Sequence, residues 1–220
     1  MKSIKIKNVK QNKCKPFEDF EETVLSKLDN FIKIDLSSIY SDTLLKTVYL
    51  TFSCYQSITK WVEKSLATPE NTVNEVGGFF LGKYGYENDS KDNLVVSIEK
   101  FIAAENVDFS SSVRLNFGIW VLQVLDDYLQ EFPDDILLGW FHTHPGHGPF
   151  LSTFDLNIHT GFFKEPYHLA IVLDSLTESF ETGFFSKQEN GVANNADANS
   201  TWINWKELFQ SKEKNNPNES

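Results

Sequence analysis

The chain is short of cysteine, of basic residues and of long apolar runs, and each shortage excludes a class of protein. Only Cys14 and Cys54 occur among 220 residues, so no disulfide framework can form and a reduced, cytoplasmic setting is expected. In that setting the Asn-X-Ser/Thr matches at Asn88 and Asn199 carry no glycosylation meaning. No stretch of about 18 apolar residues exists, which argues against a transmembrane helix. Residues 1–10 alternate Lys with apolar positions and lack the apolar segment of a signal peptide. Lys and Arg number 20 against 31 Asp and Glu, a net charge of -11. A generic nucleic-acid binder would show a basic face instead. Such acidity suits a basic partner or substrate tail, although many proteins carry it for solubility alone. Neither a His-Glu-X-X-His helix nor an internal repeat occurs.

What is present is ample apolar material. Hydrophobic residues make up 40% of the chain and include 19 phenylalanines, enough for one folded domain with extensions. Residues 1–45 read as an N-terminal extension, with a strand at 2–9 and a helix at 19–34. The helix rests on the stripe Phe20, Val24, Leu25, Leu28, Phe31 and Ile32. The main domain is expected over 46–190. Strands are predicted at 47–53, 73–84, 94–103, 136–144, 168–173 and 180–186. Helices are predicted around Ile58, Val62 and Leu66, at 115–129 and at 154–163, with a polar loop at 106–112. Residues 191–220 read as a loop, a short amphipathic turn and a disordered tail.

The chemistry concentrates in Gly139-Trp-Phe-His-Thr-His-Pro-Gly-His-Gly-Pro-Phe-Leu-Ser-Thr-Phe-Asp155. On a strand, residues i and i+2 share a face, so His142 and His144 can reach one metal ion. A carboxylate from the next element would complete three protein ligands and leave a fourth position open, as in catalytic zinc sites. An isolated His-X-His is more often a pair of hydrogen-bonded structural histidines. Here the strand before it, the Pro-Gly turn after it and the downstream Asp reverse that balance. Ser152 and Asp155 also have the spacing of an N-cap and its acidic third residue. The two readings are compatible, because a helix start would turn both side chains back toward the histidines. Asp155 is then the third ligand, and the Ser152 hydroxyl is left to donate to an oxyanion. A hydrolase would further need a carboxylate to accept a proton from water. Glu75, a charged residue at the start of an apolar strand, is the candidate; taken alone it would read as an exposed strand-edge glutamate.

With these residues in hand, the sequence resembles the JAMM (MPN+) metalloprotease family. Glu75-Val-Gly-Gly-Phe-Phe-Leu-Gly82 is similar to the family's Glu-Val-X-Gly-hydrophobic-hydrophobic-Leu-Gly strand. His142-Thr-His144, Ser152 and Asp155 fit its His-X-His, Ser-X-X-Asp signature without a gap. The intervening loop is similar to that of the proteasome-lid and COP9-signalosome enzymes. The resemblance implies an α/β, cytidine-deaminase-like JAMM/MPN fold: a mixed, curved β-sheet flanked by helices. It implies one catalytic Zn2+ held by His142, His144 and Asp155, with Glu75 as general acid/base and Ser152 as transition-state stabiliser. The implied activity is cleavage after the C-terminal glycine of ubiquitin or a ubiquitin-like protein.

The implied partners are that tail and its conjugates, with no nucleic acid and no membrane. The bacterial members of the family stand in antiphage operons, which adds E1/E2-like proteins as partners. Two other readings stay open, a peptidase for sulfur-carrier or cysteine adducts and a non-catalytic MPN scaffold subunit; four intact signature positions weigh against the scaffold. Departures are His147 in place of an aromatic, Pro149-Phe150 in place of Cys-Trp, and Leu173-Asp-Ser175 where the family has Asp-Pro. They bear on substrate identity. His147 reads as a rim residue, and His159 and His168 as structural. The polar segment 106–113 stands where the family carries its first substrate-side insertion.

Overall fold

In a computed structural model of the chain, the described residues are 16–17, 20, 30–40, 42–67, 73–88, 90–105, 107–110, 115–117, 119–189 and 202–208. The strands are β1 (Phe31–Asp35), β2 (Leu45–Thr51), β3 (Gly77–Tyr86), β4 (Leu94–Ala103), β5 (Val107–Ser110), β6 (Leu115–Phe117), β7 (Ile136–Thr143), β8 (Leu169–Leu173), β9 (Glu181–Ser186) and β10 (Ile203–Asn204). The helices are α1 (Phe52–Leu66), α2 (Ile119–Glu131) and α3 (Thr153–Phe162). Eight strands form one sheet in the order β1-β2-β4-β3-β7-β8-β9-β10, and β5 and β6 pair separately. The pairs β2–β4 and β7–β8 are parallel and the others antiparallel. The expected mixed sheet flanked by helices is therefore present, its curvature helped by the extra residue that each register shift leaves in β2, β4 and β7.

Side-chain alternation divides the apolar residues between the two faces of the sheet. Phe80, Phe141 and Ile171 join Ile58 and Val62 of α1 in one core. Phe79, Leu81, Trp140, Ala170 and Val172 join Leu125 of α2 and, at its edge, Leu156 and Ile158 of α3 in the other. The central strands are covered on both faces, which is why β7 and β8 read as unbroken apolar runs rather than alternating ones. His142 has the parity of Trp140 and so lies on the α3 side of the sheet. The crossover β7–α3–β8 joins two adjacent parallel strands, so α3 starts beside the end of β7 where the histidines emerge.

Four expectations are corrected. The helix expected at 19–34 does not continue through its last residues: Phe31, Ile32 and Ile34 lie in β1, paired antiparallel with β2. The spacing of Ile32 and Ile34 also fits a two-residue repeat, and pairing with β2 decides in favour of strand. The remainder of that helix (21–29), the strand at 2–9 and the end of the tail lie outside the described residues. The predicted loop at 106–112 contains β5, paired with β6 in a hairpin, so α2 begins at Ile119 rather than 115. Phe52 and Ser53 belong to α1, whose N-cap Thr51 accepts a hydrogen bond from the Cys54 N–H at 3.3 Å. Finally, β3 begins at Gly77, leaving Glu75 in the segment just before it.

Candidate metal centre

Each side chain of the centre is placed by backbone that the sheet or a helix cap already determines. His142 is the penultimate residue of β7. His144 follows the strand, but its N–H donates to the Leu173 carbonyl at 2.9 Å, continuing the β7–β8 ladder. Its backbone is thus held as a strand residue would be, and the two imidazoles share a face. Their Nε2 atoms stand 3.0 Å apart.

Asp155 arrives from the first turn of α3. Ser152 is the N-cap: its Oγ accepts from the Asp155 N–H at 3.2 Å, and Asp155 Oδ2 accepts from the Ser152 N–H at 2.8 Å. This capping box satisfies two otherwise unpaired donors and sets the carboxylate's orientation in the same stroke. Asp155 Oδ2 then lies 3.5 Å from His142 Nε2 and 3.6 Å from His144 Nε2. The three residues form a buried cluster able to hold a metal ion. A tetrahedral zinc bound at about 2.0–2.1 Å keeps its ligand atoms about 3.3–3.4 Å apart. The observed edges of 3.0, 3.5 and 3.6 Å bracket that spacing, and two imidazoles with one carboxylate are a suitable donor set.

Glu75 comes from the other side. Gly77 pairs with His142, and the Thr143 N–H donates to the Val76 carbonyl at 2.9 Å while the Val76 N–H donates to Thr143 Oγ1 at 3.0 Å. Extending this antiparallel register sets Glu75 opposite His144. Its Oε1 is 3.8 Å from His144 Nε2, and the residue is 2% exposed.

Burial pushes the Glu75 carboxyl from an ordinary 4.5 up to about 8, and the charge of nearby Asp155 adds to the rise. Burial also tends to raise Asp155, but hydrogen bonds from His142 and His144 outweigh it and hold that carboxyl low. Burial lowers His142, favouring the neutral imidazole that a metal requires. For the metal-free protein the sign at Glu75 follows. A folded value above the unfolded one means that its contribution to stability is full below about pH 4.5 and is lost as the pH rises toward 8. Glu75→Gln removes that loss. Thermal melts in chelator are expected to show the variant gaining on the wild type steadily from pH 5 to 8. A pH-independent difference would contradict the assignment.

The profile of the JAB1/Mov34/MPN/PAD-1 ubiquitin protease family matches residues 44–165, more than half of the chain and all five residues just placed. The chain belongs to this family. Among curated relatives, it is similar to 26S proteasome non-ATPase regulatory subunit 14 of Dictyostelium discoideum, with 30% identity over 103 residues, 46% of this chain and 32% of that protein. It is 24% identical over 157 residues to 26S proteasome regulatory subunit RPN11 of Eremothecium gossypii, 71% of this chain and 47% of that one. It is 29% identical over 104 residues to COP9 signalosome complex subunit 5 of Debaryomyces hansenii, 46% of this chain and 21% of the relative. The chain thus spans less than half the length of these relatives.

In this JAB1/MPN-family chain the structure brings together all five residues singled out in the sequence. It also shows supports that sequence reading missed. The Trp140 ring stacks on His142, with centroids 4.5 Å apart and planes 7° from parallel. His142 Nδ1 is buried without a hydrogen-bond partner among the described residues, so the stacking joins the Nε2 contacts to His144 and Asp155 in orienting the ring. Trp140 in turn donates its indole N–H to His159 Nδ1 at 3.3 Å. Burial drives the His159 value down to about 4, which keeps that nitrogen available as an acceptor. The signal was present in the sequence, since His159 follows Asp155 by four residues and shares its helix face. His168 Nδ1 accepts from the Glu165 N–H at 3.0 Å, a structural role, and His147 is exposed on the loop. No helix among the described residues is long and apolar enough to cross a membrane.

Proposed function

We propose that this chain is a zinc-dependent peptidase that cleaves after the C-terminal glycine of ubiquitin or a ubiquitin-like protein, releasing it from a conjugate or maturing its precursor. The observation that carries this reading is Glu75 itself. A buried carboxyl stands 3.8 Å from His144, beside the three-residue metal cluster yet outside it, in a family described as ubiquitin proteases. Zinc held by His142, His144 and Asp155 would polarise a carbonyl and make water acidic enough to ionise near neutral pH.

The protein groups do the rest. Glu75 accepts the proton from water and returns it to the leaving amine. Glu75, raised by burial and by Asp155 in the metal-free protein, would be brought back toward its charged form by a cation held in the cluster. Ser152 Oγ already accepts from the Asp155 N–H, so its hydroxyl hydrogen is the one left to donate to the oxyanion. An extended tail would bind as an added strand, and glycine at the cleaved position allows the closest backbone approach.

The finer setting we propose is cytoplasmic, in a bacterial antiphage ubiquitin-like conjugation system with E1/E2-like partners. The compartment rests on the scarcity of cysteine, and the partners on the operon setting of the family's bacterial members. The test of the reading is a substrate panel followed by mass spectrometry. It compares an isopeptide conjugate and a linear fusion, each cut after Gly-Gly of a ubiquitin-like domain, with a carrier-cysteine adduct. Cleavage after the terminal glycine is expected. Turnover of the cysteine adduct alone would transfer the site to the sulfur-carrier reading.

A further inference from the structure

The loop between His144 and Ser152 is tied down by a residue that the proposed chemistry does not use. Asp174 directly follows β8 and is 3% exposed. Its Oδ1 accepts from the N–H groups of Gly146 at 2.8 Å and Leu176 at 3.0 Å, and its Oδ2 accepts from the Gly148 N–H at 2.8 Å. Its own N–H donates to the Glu181 carbonyl at 2.8 Å, so the carboxylate is anchored to the sheet through β9. Among the described residues, it has no cationic side chain as partner. Its charge is met by three converging backbone donors, an anion nest turned inward on the protein's own carboxylate.

The turn is shaped to supply those donors. Gly146 and Gly148 both have φ of +77°, a conformation that side chains disfavour. At Gly148 an added Cβ would meet nothing within 4 Å, so glycine is needed there for its backbone and not for space. The same residue faces the metal centre through its other polar group. His144 Nδ1 lies 3.2 Å from the Gly148 carbonyl oxygen. A carbonyl can only accept, so Nδ1 carries the hydrogen and Nε2 is the nitrogen left to give its lone pair to a metal shared with Asp155 and His142.

We propose that Asp174 is a positioning residue for the metal centre, clamping the 145–148 turn so that the Gly148 carbonyl holds His144 in its metal-binding tautomer and orientation. The proposal rests on the metal-site reading given above and adds to it a connection from the end of β8 to one ligand. Glycines on either side of His147 leave this turn with unusual freedom, and the clamp removes it. Such partners behind a ligand are worth about 10–100-fold in metal affinity.

The test is a cobalt titration of metal-free wild type and Asp174→Asn, followed by visible absorption, with circular dichroism and a thermal melt of each metal-free protein. The amide turns one acceptor into a donor that faces a backbone N–H. Asp174→Asn is expected to keep the folded spectrum, bind cobalt about 10–100-fold more weakly, and show altered absorption bands for whatever cobalt it binds. Should it fail to fold, Gly148→Ala leaves the carboxylate intact, strains only the clamped turn and carries the same expectation. Wild-type affinity and an unchanged cobalt spectrum in a folded variant would overturn the clamp. A wild-type protein that takes up no cobalt would instead overturn the metal centre, so the two failures are distinguishable.

Discussion

Glu75→Gln is expected to keep the fold and the bound metal while lowering the cleavage rate by about 10²–10⁴-fold, the usual worth of a positioned proton-transfer group. The substitution is nearly isosteric, which matters at a residue 2% exposed. It removes the ability to accept a proton and little else. The metal should stay because its cluster is His142, His144 and Asp155, with Glu75 one step outside. The fold should stay because the amide relieves the burial that opposes the charged carboxylate. The loss should fall on kcat with KM nearly unchanged, the pattern of a group that acts mainly in the transition state. Steady-state kinetics on a ubiquitin-like fusion measures the split. A loss confined to KM would reassign Glu75 to substrate binding.

His144→Ala should fail in the opposite manner. It removes one corner of the ligand triangle, together with the Nδ1 contact to Gly148 at 3.2 Å. The backbone is spared, since alanine keeps the N–H bond to the Leu173 carbonyl. Two ligands cannot hold zinc as three do. The affinity should therefore fall by more than the roughly 10–100-fold that loss of an outer partner costs. Metal analysis after dialysis, read beside circular dichroism, is expected to show a folded protein without stoichiometric zinc and without cleavage activity. Full zinc occupancy in this variant would place the ligand elsewhere.

The centre was readable in the sequence because its parts are local and strongly patterned. A buried strand ends in His-Thr-His, and Ser152 and Asp155 carry the spacing of a capping box; both are decided within a few residues of backbone. The misreadings occur where pairing partners decide. Phe31-Ile-Lys-Ile-Asp35 could be counted toward a helical stripe until β2 claimed it as an edge strand. Residues 107–110 read as polar loop because their partner in the hairpin, β6, reads in the sequence as the start of α2. Glu75 lies before the strand and not in it, held opposite His144 by the Val76–Thr143 pairing. Trp140 gives no signal, and Asp174 stands out only as the Asp of a segment that departs from the family's Asp-Pro, with nothing to show its role. Asp174 acts by gathering backbone N–H groups from a loop 26 to 28 residues away, Trp140 by stacking, and neither act can be read from local spacing.

The most direct test of the division of labour between Glu75 and the metal cluster is zinc per chain and cleavage rate measured on the same preparations of wild type, Glu75→Gln and His144→Ala. One zinc with full activity, one zinc with cleavage lowered about 10²–10⁴-fold, and no zinc without activity are the results expected, in that order. Undiminished cleavage by Glu75→Gln, or by His144→Ala freed of zinc, would contradict it.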